Sequence, residues 1–402
     1  MELLRWELRK IWRPGVLAAI VLLGAVYYWM FPEFYMEYFR KGPESSGMAY
    51  FALASEWVER YGPTLEGEEW VELEERLAEE IAAFDRQVAA IPEAAAAGIT
   101  SYEAFLTLRE DDPASRGEEG EAADKERRAL IDRVYGETNW YIVGTLESYL
   151  EDHETAGEED AAWRLAQMEA LEYSEAMIRR EWELASWESG SLLPGVVTKN
   201  TREYSKDLAV WCVLSVILLL SPTLARDRLR GVRPTQWSSR RGRDILRTQM
   251  VAAFLSALAL TAANVLVYTV PFLSQGPLRF AACPWSGWFD WTYGTYLLAL
   301  AGLIFSLSLG AAALTVFLSQ YSENYVATLL KALPLFVVEG ALLGNWMLQI
   351  GFSFQSVWIG ALDLLLWMPK GTETAIAAAL LLLGAALCAL ACRRQRRRDL
   401  LS

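Results

Sequence analysis

The stretch Met250–Leu273 reads MVAAFLSALALTAANVLVYTVPFL, twenty-four residues without a charge. A helix rises about 1.5 Å per residue and the hydrocarbon core of a bilayer is about 30 Å thick, so a run of this length and composition reads as a membrane-crossing helix. Working outward, five more apolar segments share its character: Gly15–Phe31, Leu208–Ala225, Thr295–Leu318, Val326–Leu348 and Thr374–Cys392. The first is short, but Tyr27, Tyr28, Trp29 and Phe31 extend it into an aromatic interface belt. The expected fold is all-α: a polytopic membrane protein of six transmembrane helices with a large helical extracytoplasmic domain between helices 1 and 2. The expected divisions are an amphipathic cytoplasmic helix at 1–14, helix 1 at 15–31, an acidic domain at 32–207, and helices 2–6 at 208–402.

The formal charge of −14 hides two opposed halves. Of the 51 acidic residues, 41 lie between Phe31 and Leu208, with only 17 of the 37 basic ones. The insert therefore carries about −24 and the rest of the chain about +10. Basic residues cluster in three places. Arg5, Arg9, Lys10 and Arg13 precede the first span; eight arginines from Arg226 to Arg247 lie between the second and third; Arg393, Arg394, Arg396, Arg397 and Arg398 follow the sixth. The positive-inside rule assigns all three groups to the cytoplasm and the acidic insert to the outside. An even number of spans agrees, because both termini then share a side. The expected location is a bacterial plasma membrane.

The N-terminal apolar run is followed by Tyr-Tyr-Trp-Met-Phe-Pro rather than by small residues, which reads as a retained anchor and not a cleaved signal. The cysteines, Cys212, Cys283, Cys388 and Cys392, all lie outside the insert, which argues against a disulfide framework. His153 is the only histidine, so no metal site is expected.

Within the insert, Trp70, Leu73, Leu77, Ile81, Phe84, Val88 and Ile91 recur at steps of three and four, the period of a buried helical stripe. Thr100 or Ser101 is placed to cap a short helix through Arg109. Asp111–Gly120 reads as a loop. Two longer helices are expected over Glu121–Asp152 and Glu159–Trp187. The acid run from Glu66 to Glu80 reads as a solvated helix face, the alternative being a lure for cationic peptides or cations. A chain of this length can bury a core of its own, and a helical bundle is the simplest arrangement.

The most specific local signal is the basic loop at 226–249. It runs Arg226-Asp-Arg-Leu-Arg-Gly231-Val-Arg-Pro-Thr-Gln-Trp-Ser238-Ser239-Arg240-Arg-Gly242-Arg243 and continues through Gln249 into the third span. Physically it is a basic helix end, a break at Pro234, a Ser-Ser turn able to cap, and a second basic helix. Simple anchoring by arginines on anionic lipid, at about 1 kcal/mol each near the surface, is one reading.

Taken with the six-span layout and the large insert after the first span, this loop resembles that of permease subunits of type-2 ABC exporters. The matching residues are Arg226, Asp227, Arg228, Gly231, Ser238, Ser239, Arg240, Gly242 and Arg243. Asp227 stands where many family members have glutamate, and Gln249 where many have lysine. The resemblance implies that the loop docks on a separate ATPase subunit, that Glu2–Arg13 lies along the inner membrane surface beside it, and that a second permease copy or a related permease completes the pathway. ATP would bind the partner, with no cofactor on this chain. The chain contains no G-x-x-x-x-G-K-[ST], H-E-x-x-H or G-x-S-x-G sequence, so it offers no support for an ATPase or another enzyme of its own. No nucleic-acid partner is expected.

Glu339, in the fifth span, and Asn264, in the third, are the candidate pathway residues, because polar groups at membrane depth are costly. Asn264 and Asn324 are also suited to gluing helices together. Asp363 falls in Val357–Met368, an apolar stretch too short to cross and expected to form a re-entrant or interfacial hairpin. The leading expectation is an ATP-driven exporter permease moving an amphiphilic peptide, antibiotic or lipid-like compound. The alternative is a membrane-anchored extracellular binding or signalling module. An ion-coupled transporter would need matched internal repeats, which the sequence does not display.

Overall fold

A computed structural model describes residues 2–40, 46–110, 122–155, 162, 165–166, 168–169, 174–188, 190–229, 231, 242, 245–352, 356–359, 364–367 and 369–397. The chain is a mostly helical, multi-pass membrane protein. It divides into two compact units. One comprises Met1–Glu37, Lys199–Leu278 and Gly287–Ser402; the other comprises Tyr38–Thr198 and Arg279–Ser286.

In chain order the helices are α1 (Glu2–Ile11), α2 (Pro14–Met30), α3 (Pro32–Arg40), α4 (Ser46–Tyr61), α5 (Glu68–Ala89), α6 (Pro92–Ala96), α7 (Tyr102–Glu110), α8 (Ala122–Glu137), α9 (Trp140–Thr155) and α10 (Glu175–Glu188). They continue with α11 (Gly195–Leu229), α12 (Ile245–Leu273), α13 (Tyr293–Gln320), α14 (Tyr325–Leu335), α15 (Asn345–Ile350) and α16 (Thr372–Arg397).

Five helical runs are long and apolar enough to cross a membrane: Gly195–Thr223, Ile245–Leu273, Tyr293–Gln320, Tyr325–Gln349 and Thr372–Gln395. The pair α1 and α2, bent by 48°, makes a sixth if counted as one. The bend falls at Trp12–Arg13, just before Pro14, which occupies the first turn of α2 where a missing N–H costs nothing. The helix preceding the basic loop begins thirteen residues before the apolar segment Leu208–Ala225, because Tyr204 and Tyr27 give its polar first half internal partners. Tyr204 Oη donates to Tyr268 O at 2.6 Å, and Tyr27 Oη to Asp207 O at 3.1 Å.

The run Tyr325–Gln349 is built in three pieces. Asn324 Oδ1 accepts from Ala327 N at 2.8 Å and so caps α14, a local role rather than the interhelical one its sequence position suggests. Pro334 removes a backbone donor near the end of α14. The next nine residues, Phe336–Gly344, form a π-helix before α15 resumes the α geometry. Such wide turns are rare and recur at functional sites.

Small residues bring α13 and α16 together. A Cβ on Gly384 would lie 2.6 Å from Ala313 Cβ, and Cys388 Sγ approaches Ala313 O at 3.7 Å. Between lipid-bathed helices, close backbone approach of this kind supplies the packing that a hydrophobic effect cannot. Large apolar side chains point away from the bundle on the opposite faces, among them Leu382, Leu298 and Val21, each about 70–75% exposed. The apolar stretch following α15 contains an antiparallel pair of short strands, Ser356–Ile359 with Leu364–Trp367. Asp363 lies outside the described residues.

The second unit has its own core. Phe84, Val88, Ile91, Tyr102, Phe105, Val134, Trp140 and Val143 form a buried cluster, with Leu77 and Ile81 packed against it. The stripe of α5 therefore faces inward along its length, while Glu66, Glu68, Glu72, Glu74, Glu75 and Glu79 are exposed on the other side. Ser101 Oγ accepts from Ala104 N at 3.3 Å and caps α7. The helix expected over Glu121–Asp152 breaks in two. Thr138 Oγ1 accepts from Trp140 N, and Asn139 Nδ2 donates to Glu80 O at 2.9 Å, so local side-chain bonds compete with the helix ladder and turn the chain. Asp111–Gly120 lies outside the described residues, as does much of the span between α9 and α10.

Candidate functional site

The basic loop leaves α11 and enters α12, and its two ends meet α1. α1 is amphipathic, with Trp6 exposed and Glu7 and Ile11 buried. Spacing of three places Glu7 and Lys10 on one face, and Lys10 Nζ donates to Glu7 Oε1 at 2.8 Å. The same ammonium reaches Asp227 Oδ2, in the last turn of α11, at 3.3 Å. Gln249 Nε2, in the second turn of α12, donates to that same oxygen at 2.9 Å. Trp12 Nε1 donates to Ser256 Oγ at 3.0 Å, about two turns further along α12.

Glu7, Asp227 and Gln249 are all buried, whereas the Lys10 side chain is 35% exposed. A buried carboxylate is tolerable here because a cation and an amide both point at it. The arrangement clasps three helices through one oxygen atom. Among the described residues no group of three or more His, Cys, Asp or Glu is placed to hold a metal.

Arg226 and Arg228 flank Asp227 in the same helical turn, and their side chains lie outside the described residues. Gly231 follows the end of α11 with φ +64°, the left-handed conformation that commonly terminates helices and that glycine adopts without strain. Gly242 likewise has φ +45°. Ser238, Ser239, Arg240 and Arg243 lie outside the described residues. The sequence singled out Asp227 and Gln249 but not their partners. The i, i+3 pairing of Glu7 with Lys10 was the available signal, and nothing in the sequence says that it lands on Asp227.

The two candidate pathway residues have different surroundings. Asn264 Nδ2 donates to Ser215 Oγ at 2.8 Å, and Ser215 in turn donates to Cys212 O, so this polar pair joins α12 to α11. Glu339 lies in the π-helical run, 1% exposed, and neither carboxyl oxygen has a hydrogen-bond partner among the described residues. A Cβ on Gly310 of α13 would sit 2.5 Å from Glu339 Oε1. The glycine makes the cradle into which the carboxyl fits.

No family model, characterised protein or solved structure matches the chain.

Proposed function

We infer that the chain is the membrane-spanning permease subunit of an ATP-driven exporter resembling the type-2 ABC class, working with a separate ATPase and moving an amphiphilic substrate out of the cell. The observation that carries this reading is the clasp of Lys10, Asp227 and Gln249. It ties the helix before the first span, the end of the second and the start of the third into one joint at the basic loop. Force applied to that loop is then delivered to three spans together.

In this reading α2 is the first of six spans with α1 lying along the inner membrane surface before it, both termini are cytoplasmic, and residues 32–207 are extracytoplasmic in a bacterial plasma membrane. Residues Arg226, Asp227, Arg228, Gly231, Ser238, Ser239, Arg240, Gly242 and Arg243 form the coupling loop. Closure of the ATPase pushes on it and rocks spans one to three against four to six. A second permease copy or a related permease completes the pathway. The charge pattern supports the orientation, since the arginine groups and the acidic insert fall on alternate sides of the assigned spans.

The test is purification of the intact protein from its native membrane under gentle extraction, with identification of the chains that accompany it. A stoichiometric ATPase with a phosphate loop, lost on altering Arg240, Gly242 and Arg243, is the expected result. Its absence under conditions that preserve another ABC complex overturns the reading and favours a membrane-anchored binding or signalling module.

A further inference from the structure

We propose that Glu339 is a proton-binding site that latches the run Tyr325–Gln349 shut, so that the bundle packs with the carboxyl neutral and opens with it ionised. The proposal stands apart from the identity of any cargo or ATPase. Its ground is an unpartnered carboxyl, enclosed on every side, in a stretch of irregular helix.

An ionised carboxylate out of water needs a counter-charge or several donors, and otherwise takes up a proton. Among the described residues no donor reaches either Glu339 oxygen. The Gly310 face closes to 2.5 Å from Oε1 at the point where a Cβ would stand, and Leu380 Cβ of α16 lies 3.5 Å from that same point. Next to Glu339, a Cβ on Gly340 would lie 3.3 Å from Val213 of α11. A hydrated cation needs six or so oxygen ligands and room for them, neither of which this enclosure offers. A proton needs neither.

The titratable groups on the surrounding helices serve other contacts. α13 carries no Lys, Arg, Asp or Glu; its titratable side chains are Tyr293, which shares a hydrogen bond with Thr201, and Tyr296. On α16, Glu373 accepts from Phe352 N, Cys388 is directed at Ala313 O, Cys392 approaches Met250, and arginines follow from Arg393. α11 carries Cys212 beside Val213, with its acids and bases confined to the polar half before Leu208 and to the turn around Asp227. On the run that holds Glu339, Lys331 donates to Tyr321 O. None of these groups is hydrogen-bonded to Glu339.

The step is simple to balance. On packing, one carboxylate oxygen takes a proton from water and an O–H bond forms; on opening, that bond breaks and the proton returns to water. No electron moves. Mass action then favours the packed state in acid and the open state in alkali, by up to about tenfold in their ratio per pH unit.

The experiment uses the full chain in lipid nanodiscs. Infrared spectra of the wild type at neutral pH are expected to contain a protonated-carboxyl C=O band that is missing in Glu339→Gln. A spectrum in which Glu339 contributes only carboxylate bands overturns the proposal and indicates a wetted or cation-paired site. Hydrogen exchange of Phe336–Gly344 is then followed as a function of pH. The ratio of wild-type to Glu339→Gln exchange is expected to rise with pH, and a constant ratio overturns the latch. Glutamine is the neutral isostere, so a Glu339→Gln chain that fails to fold also counts against a neutral acid at this position.

Discussion

Asp227 and Gly310 are the residues on which the membrane-embedded unit is most exposed to single changes. Asp227 Oδ2 accepts from both Lys10 and Gln249, so removing it strands the buried Gln249 amide and leaves Lys10 with Glu7 alone, whereas removing Lys10 leaves the Gln249 hydrogen bond in place. Asp227→Ala is therefore expected to cost about 1–3 kcal/mol and Lys10→Met less, since the partial exposure of Lys10 screens its pair. Denaturant melts of the two variants and their double mutant check the order; equal losses would sink it. Gly310→Ala drives a methyl against the Glu339 carboxyl, and Gly384→Ala drives one against Ala313. Overpacking at such sites costs about 1–3 kcal/mol. Gly15 has nothing within 4 Å of a built Cβ, so Gly15→Ala is the matched control and should melt with the wild type.

At the scale of elements, the helices were legible where one physical signal decided them and obscure where two competed. The apolar runs locate the ends of Tyr293–Gln320, Tyr325–Gln349 and Thr372–Gln395 within a few residues, because length and hydropathy alone set them. The α11 start is not legible because Thr198–Asp207 is polar in sequence and meets its partners, Tyr268, Tyr27 and Tyr293 among them, only in three dimensions. The break at Thr138–Asn139 was missed because a Thr-Asn pair inside a helical pattern turns the chain only when Glu80 is there to receive it. The π-helix is nearly invisible: Pro334 announces a disturbance but not its form. The clasp was half legible, in Asp227 and Gln249, because sequence shows which polar residues stand near helix ends and not which of them meet. Capping offers an independent check of α14. Asn324→Ala is expected to cost about 1 kcal/mol and to speed hydrogen exchange at residues 325–328 while leaving α16 unchanged.

For the molecule as a whole, the acidic unit and the bundle should respond to different conditions. In the acidic unit, burial and a hydrogen bond to Glu147 hold the Tyr102 phenol well above its ordinary value, and burial followed by a bond to Glu72 pushes Tyr61 up to about 12. A group held protonated by folding contributes its stability fully below its unfolded value near 10 and loses it as pH rises towards the folded value. The unit should therefore loosen above about pH 10. Tyr102→Phe should flatten that alkaline dependence while costing the Glu147 bond at neutral pH. Circular dichroism of the intact protein against pH tests the sign, and an unchanged alkaline slope in Tyr102→Phe would refute it. In the coupling reading, alanine across Ser238–Arg243 should abolish partner binding and export without lowering the melting temperature of the bundle. Retention of both would exclude the rocking mechanism.

The contact between Gly384 and Ala313 leaves no space for a larger atom on either side. The two positions are thus a single volume shared between two helices. Among descendants of this sequence, side-chain size at 313 and at 384 should trade off one against the other. A serine or cysteine gained at one would be admitted only in lineages where the other has stayed or become glycine.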